Sequence, residues 1–204
     1  MHAAYTSGME FQGDVDIPVI DWRHYLEDEL DMHHTQESFV ARQRMLNADG
    51  DAGNQVIWFT DARPAVAFDQ TPMAFEVMDE WMANIAAHPE RGVARNRPDR
   101  AVDSCFDTSG NLIASGKRVW SGVLDDRSDG ACTQRFPIYS SSRREAGGPY
   151  EGGIWKCQLQ SVSRALHHEV YGDWTPTDAE RARLEQIFPD GVCNYDKPDA
   201  GLPR

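Results

Sequence analysis

Long apolar runs are missing from these 204 residues: no stretch approaches the roughly 18 consecutive apolar positions that a membrane helix requires, so the chain reads as soluble. Positive charge is also short, with 20 Lys and Arg against 33 Asp and Glu and a net charge of −13. Such a chain repels the phosphates of nucleic acid and anionic lipid headgroups, so neither nucleic acid nor membrane is an expected partner. Glycine-rich phosphate loops and nucleotide fingerprints are absent, and no cofactor is expected. There is no G-x-S-x-G, the sharp strand-to-helix elbow that exposes a catalytic serine. No internal repeat or low-complexity tract occurs. The amino terminus, MHAAYTSGMEFQGD, lacks the basic segment and apolar run of a signal peptide, and it reads as sequence from inside a longer protein.

What is there belongs to a globular chain. Apolar residues make up 40% and charged residues 26%, and the length suits one domain with a core, or one domain with an appended tail. Cys105, Cys132, Cys157 and Cys193 all fall in the second half, with no paired C-x-x-C knuckle, which argues against structural zinc. An even number of cysteines in a Gly- and Pro-rich stretch points to disulfides and hence to an oxidising, secreted or periplasmic location. Three pairings are open beside four reduced thiols. The preferred one is sequential, Cys105 with Cys132 and Cys157 with Cys193.

Residues Asp16 to Trp22 (DIPVIDW) read as a short β-branched strand and Gln55 to Thr60 (QVIWFT) as a second, entered through the turn-forming DGDAGN. Between them Thr35 to Asn47 reads as a helix with Phe39, Val40, Met45 and Leu46 on its apolar face and Gly50 just past its end. Strand, helix, strand is the pattern of a parallel βαβ unit. A stronger helix is expected from Thr71 to Ala87, with Thr71 as its cap, Pro72 in the first turn, and Ala74, Met78, Trp81, Met82 and Ile85 lining one face. From His88 to Gly153 the chain reads as largely irregular, with Arg118 to Val123 a short strand candidate. Thr177-Asp178-Ala179-Glu180 is a capping box that opens a final helix with Leu184, Ile187 and Phe188 as its apolar stripe. The expected organisation is a βαβα portion over residues 1–90 and an irregular, disulfide-stapled tail over 91–204 packed on it.

The densest chemistry lies between these first strands. In an open parallel sheet ligands sit beyond the carboxyl ends of the strands, where the loop from His24 to Thr35 emerges. An Asp there can orient a catalytic imidazole and stabilise its cation. Asp31 is preferred and Asp28 is the alternative, because Asp21 still belongs to the strand. The competing reading makes Glu27, Asp28 and Glu29 a solvated acidic turn, with Asp31 favouring a helix amino terminus. His33 and His34 are candidate bases, since imidazole titrates near neutrality. As a metal pair they fit poorly, because helical ligands recur at i and i+3 or i+4 and strand ligands at i and i+2. Ser104 and the run Ser140-Ser141-Ser142 offer hydroxyls in loop-like surroundings without the elbow geometry of a nucleophile.

Two segments carry a family resemblance: IPVIDWRHYLEDELDMHHTQESFVARQRMLNADGDAGNQVIWF, and the tail WKCQLQSV followed by TPTDAERARLEQIFPDGVCNYDKPDAG. Together they resemble the carboxyl-terminal part of the bacterial domain of unknown function 6351 family, large and mostly exported proteins similar to α/β-hydrolases. The resemblance implies an α/β fold in which Ile17 to Trp22 and Gln55 to Thr60 are the last two strands of a hydrolase sheet, with the earlier strands, nucleophile elbow and signal peptide outside this chain. It implies the acid of a triad at Asp31 or Asp28. It would put the histidine after the second strand, where the sequence reads Phe59-Thr60-Asp61-Ala62-Arg63-Pro64, which leaves the base unassigned: either His33 or His34 serves from the acid loop, or the chemistry is not that of an ordinary serine hydrolase. The expected activity is ester hydrolysis on a small-molecule or polymeric substrate, once the missing amino-terminal portion or a partner subunit supplies the nucleophile. The alternative is a noncatalytic, disulfide-stapled module that binds a partner subunit or ligand.

Overall fold

Our computed structural model of the chain describes residues 3, 6–27, 34–63 and 68–201. It divides into two compact units, residues 12–139 and residues 1–11 with 140–204.

The unit 12–139 is built on β1 (Val19–Tyr25), α1 (Gln36–Asp49), β2 (Gln55–Asp61), α2 (Thr71–Ala87), β3 (Ser104–Phe106), β4 (Leu112–Ser115) and the short α3 (Ala131–Arg135). β1 and β2 run parallel with Val19 opposite Gln55 and Tyr25 opposite Asp61, as the βαβ reading requires. The sheet does not stop at these two strands. β3 joins β2 in parallel and β4 joins β3 antiparallel, giving the order β1-β2-β3-β4, so the expected pair of strands is corrected to four. Both added strands come from the stretch expected to be irregular. They span three and four residues, too short for an alternating pattern to register. The turn between them is made by Asp107, whose carboxylate accepts the N–H groups of Ser109 and Asn111, and by Gly110 at φ 81°. Arg118–Val123 is not a strand: Val119, Ser121 and Val123 each donate to the carbonyl three residues back, a run of turns.

β2 is buried along its whole length because strands flank it on both edges and helices and aromatics cover both faces, which is why QVIWFTD reads as a continuous apolar run instead of alternating. On one face Val56, Trp58 and Phe106 pack against Val77 and Trp81 of α2, and Trp81 donates its indole N–H to the Val93 carbonyl at 2.9 Å. On the other, Phe59 meets Phe39 of α1, Trp120 and Phe136. Fully burying each such aromatic is worth roughly 2 to 3 kcal/mol, so this strand is where the unit is held.

α1 ends as expected on Gly50 at φ 71°, whose N–H returns to the Leu46 carbonyl. α2 has the expected bounds, but Thr71 lies inside the helix and does not cap it. Its N–H is taken by the Asp69 carboxylate at 2.9 Å, and Met82 is half exposed while Val77 and Trp81 are the buried pair.

The other unit carries α4 (Ser142–Glu145), β5 (Gln158–Gln160), α5 (Val162–His167), α6 (Asp178–Ile187) and β6 (Val192–Asn194), with β5 and β6 antiparallel. The capping box is present: Thr177 Oγ1 accepts from the Glu180 N–H, and the Glu180 carboxylate accepts the Thr177 N–H at 2.8 Å. Both disulfides form in the sequential pairing, Cys105–Cys132 tying α3 to β3 and Cys157–Cys193 tying β6 to the residue before β5. Among the described residues no helix is long and apolar enough to cross a membrane.

Candidate active site

The carboxyl ends of β1 and β2 lie side by side, so the residues that follow Tyr25 and Asp61 share one edge of the sheet. Asp28, Asp31 and His33 lie outside the described residues. His34 is half-buried just ahead of α1, and its Nδ1 faces the Gln36 N–H at 3.3 Å, as an acceptor when the ring proton is on Nε2.

The residues on either side of that segment are held together. Glu27 Oε1 accepts both the Thr35 N–H, at 2.5 Å, and the Thr35 hydroxyl. Its second oxygen, Oε2, is buried with no hydrogen-bond partner among the described residues. The solvated-turn reading is therefore corrected at Glu27: this carboxylate is a fixed acceptor because Thr35, 1% exposed, needs it.

Beyond β2 the sequence offered no histidine, and the structure puts an ion network there. Asp61 is 1% exposed. Its Oδ1 accepts from the Arg63 backbone N–H at 3.1 Å and Arg63 Nε at 3.0 Å, and its Oδ2 accepts from Arg135 Nη2 at 2.5 Å. The Arg63 guanidinium lies 4.6 Å from the Tyr25 ring centroid, and that of Arg135 lies 5.7 Å from the Phe136 ring. Tyr25 donates its hydroxyl to the Pro137 carbonyl at 2.6 Å, which fixes the segment bearing Arg135 onto β1.

On the opposite face of the same sheet edge, His24 sits edge-on to Trp22 at 4.9 Å with Nε2 3.4 Å from the Phe68 carbonyl. Trp22 donates to Thr60 Oγ1 at 3.0 Å, and Thr60 in turn donates to the buried Gln70. Nearby Asp69 is held below the ordinary carboxylate value, chiefly by the hydroxyl and N–H of Thr71, with the His24 ring adding to it.

Asp61, Arg63, Arg135 and His24 were not singled out from the sequence. Asp61 and Arg63 had a signal, the polar Asp-Ala-Arg directly after an apolar strand. Arg135, 74 residues away from Asp61, had none. Among the described residues no three His, Cys, Asp or Glu side chains converge as a metal site requires.

The model of a tannase-like family of unknown function (DUF6351) matches residues 1–203. The chain belongs to this family. No curated protein and no solved structure matches it. The mixed α/β sheet accords with that membership, and the two disulfides fit an oxidising compartment. The tannase-like description relates the chain to hydrolases and names no substrate or catalytic residue for it.

Proposed function

We propose that this chain is the carboxyl-terminal portion of a secreted, esterase-like hydrolase, with the acid and base of its triad in the loop after β1 and its nucleophile outside these residues. The observation that carries the reading is the hydrogen bonding of Glu27 to Thr35 just beyond the carboxyl end of a parallel strand. A loop bearing reacting groups must be held to a fraction of an ångström, and a carboxylate taking two hydrogen bonds across its two ends supports that reading. Asp31, or Asp28 in its stead, holds the imidazole of His33 or His34. That imidazole takes the proton from the attacking hydroxyl and returns it to the departing alcohol, leaving an acyl-enzyme that water hydrolyses with the same imidazole as base.

Hydrolysis of a chromogenic ester by the complete protein tests this, with Asp31→Asn, Asp28→Asn, His33→Ala and His34→Ala beside the wild type. Loss of the acid or the base should lower kcat by about a hundredfold or more. Unchanged rates in all of them would remove the loop from the chemistry.

A second reading, a disulfide-stapled binding module, draws on a different observation. In the unit 140–204 a cavity of about 690 Å³ is lined by Leu159, Tyr171, Trp174, Leu184, Phe188 and Tyr195. Its size falls in the range of small-molecule sites, and its walls are almost wholly apolar. Retention of ligand binding by a protein inactive toward every ester would favour it.

A further inference from the structure

Asp61 has more partners than it needs for its own burial. Arg63, two residues along the chain, already satisfies it through its backbone N–H, Nε and Nη2. Arg135 adds only one nitrogen, Nη2. The two arginines also differ in exposure: the Arg63 side chain is 17% exposed and that of Arg135 is 52% exposed. Nε and Nη1 of Arg135 make no hydrogen bond among the described residues.

The segment that carries Arg135 is fixed on both sides. Cys132 is bonded to Cys105 of β3, Phe136 is wholly buried 5.0 Å from the Tyr25 ring, and the Pro137 carbonyl takes the Tyr25 hydroxyl. A long side chain on an ordinary surface helix loses rotamer freedom when it binds, whereas this one is already held by a buried carboxylate and an aromatic face. A planar cation with open N–H donors, preorganised at the carboxyl edge of a parallel sheet, is the geometry that recognises a carboxylate by charge-assisted hydrogen bonds.

We propose that Arg135 receives a carboxylate carried by the bound ester, so that the substrates of this site are esters with a free acid group on the acyl or alcohol part. This rests on the hydrolase reading above. One guanidinium fully neutralises a monoanion, whereas a phosphate dianion keeps a second charge facing the chain's net charge of −13, and two coplanar carboxylate oxygens match the planar fork. A neutral ester has nothing to offer those donors.

The test is a titration of ¹⁵N-labelled protein followed on the backbone amides of residues 134–136 in wild type and variants, and also on the Arg135 side-chain Nε–H in the wild type, with monomethyl glutarate, methyl butyrate and inorganic phosphate as probes. Monomethyl glutarate should give a saturable shift, methyl butyrate none, and phosphate a weaker response. Arg135→Gln should weaken monomethyl glutarate binding by about tenfold or more, and Arg135→Lys, which keeps the charge and loses the planar fork, by less. No saturable shift in the wild type, equal or tighter phosphate binding, or unchanged affinity in Arg135→Gln would each overturn the assignment. Because the readout is binding, it separates from the hydrolase reading. Carboxylate binding in a protein that cleaves no ester leaves this site standing and ends the other, and loop-dependent hydrolysis without carboxylate binding does the reverse.

Discussion

Glu27 accepts the backbone N–H and the hydroxyl of Thr35 with a single carboxylate oxygen, which holds residue 27 and residue 35 together. The consequence is that a substitution at residue 27 should act on residues it does not touch. In Glu27→Ala the buried Thr35 groups lose their acceptor, a cost of about 1 to 3 kcal/mol. Hydrogen exchange over residues 28–34 should accelerate, and ester hydrolysis by the complete protein should fall together with that of Asp31→Asn. Unaltered exchange in this segment would show that Glu27 does not hold the loop.

Arg42 and Asp103 provide a second fixed point, at the other end of the sheet. Arg42 Nη1 and Nη2 donate to the two Asp103 oxygens at 2.6 and 2.8 Å, and Oδ1 also accepts the Ile57 N–H of β2 at 2.9 Å. Both side chains are mostly buried, so Asp103→Ala leaves a buried guanidinium unpaired and should destabilise by about 3 to 5 kcal/mol. The double variant Arg42→Met with Asp103→Leu should recover part of that loss in denaturant unfolding. A single variant within about 0.5 kcal/mol of wild type would show that solvent, not Asp103, satisfies Arg42.

How much of this was legible depends on whether the signal was local. α2 could be read to its ends because one apolar face and Pro72 lie within seventeen residues, and the capping box at Thr177 because its two partners are three residues apart. β3 and β4 could not be read, since three- and four-residue strands are specified by what they pair with: Trp58 opposite Ser104 and Ser104 opposite Ser115. At the candidate site the Asp and His residues of the loop stood out by type and density, whereas Glu27 looked like one more surface acid. Its role comes from Thr35, and that of Arg135 from Asp61, and both depend on closure of the fold.

The two disulfides close segments of 27 and 36 residues in sequence separation. In the chain-entropy account each stabilises by about 3 to 4 kcal/mol, chiefly by restricting the unfolded chain. Cys105→Ala with Cys132→Ala should therefore lower the stability of the sheet-bearing unit and release the segment behind Arg135. The thiol count of the denatured, unreduced wild type should be zero. Four free thiols in protein from an oxidising compartment would overturn both bridges.

Glu180 makes a prediction about pH in α6. Its carboxylate accepts the N–H and hydroxyl of Thr177, and the backbone bond chiefly holds it below the ordinary value of 4.5. A carboxyl depressed in the folded state contributes stability that is present above its unfolded value and lost as pH falls through its folded value. The capped amino terminus of α6 should thus be intact at neutral pH, begin to weaken as pH drops below about 4.5, and fray fully once Glu180 is protonated. Amide exchange of residues 178–181 measured from pH 6 to pH 3 should follow that course in the wild type. In Glu180→Gln the side chain still accepts a hydrogen bond but does not ionise, so the same amides should lose their acid-dependent step. An identical acid-dependent step in Glu180→Gln would assign it to another group.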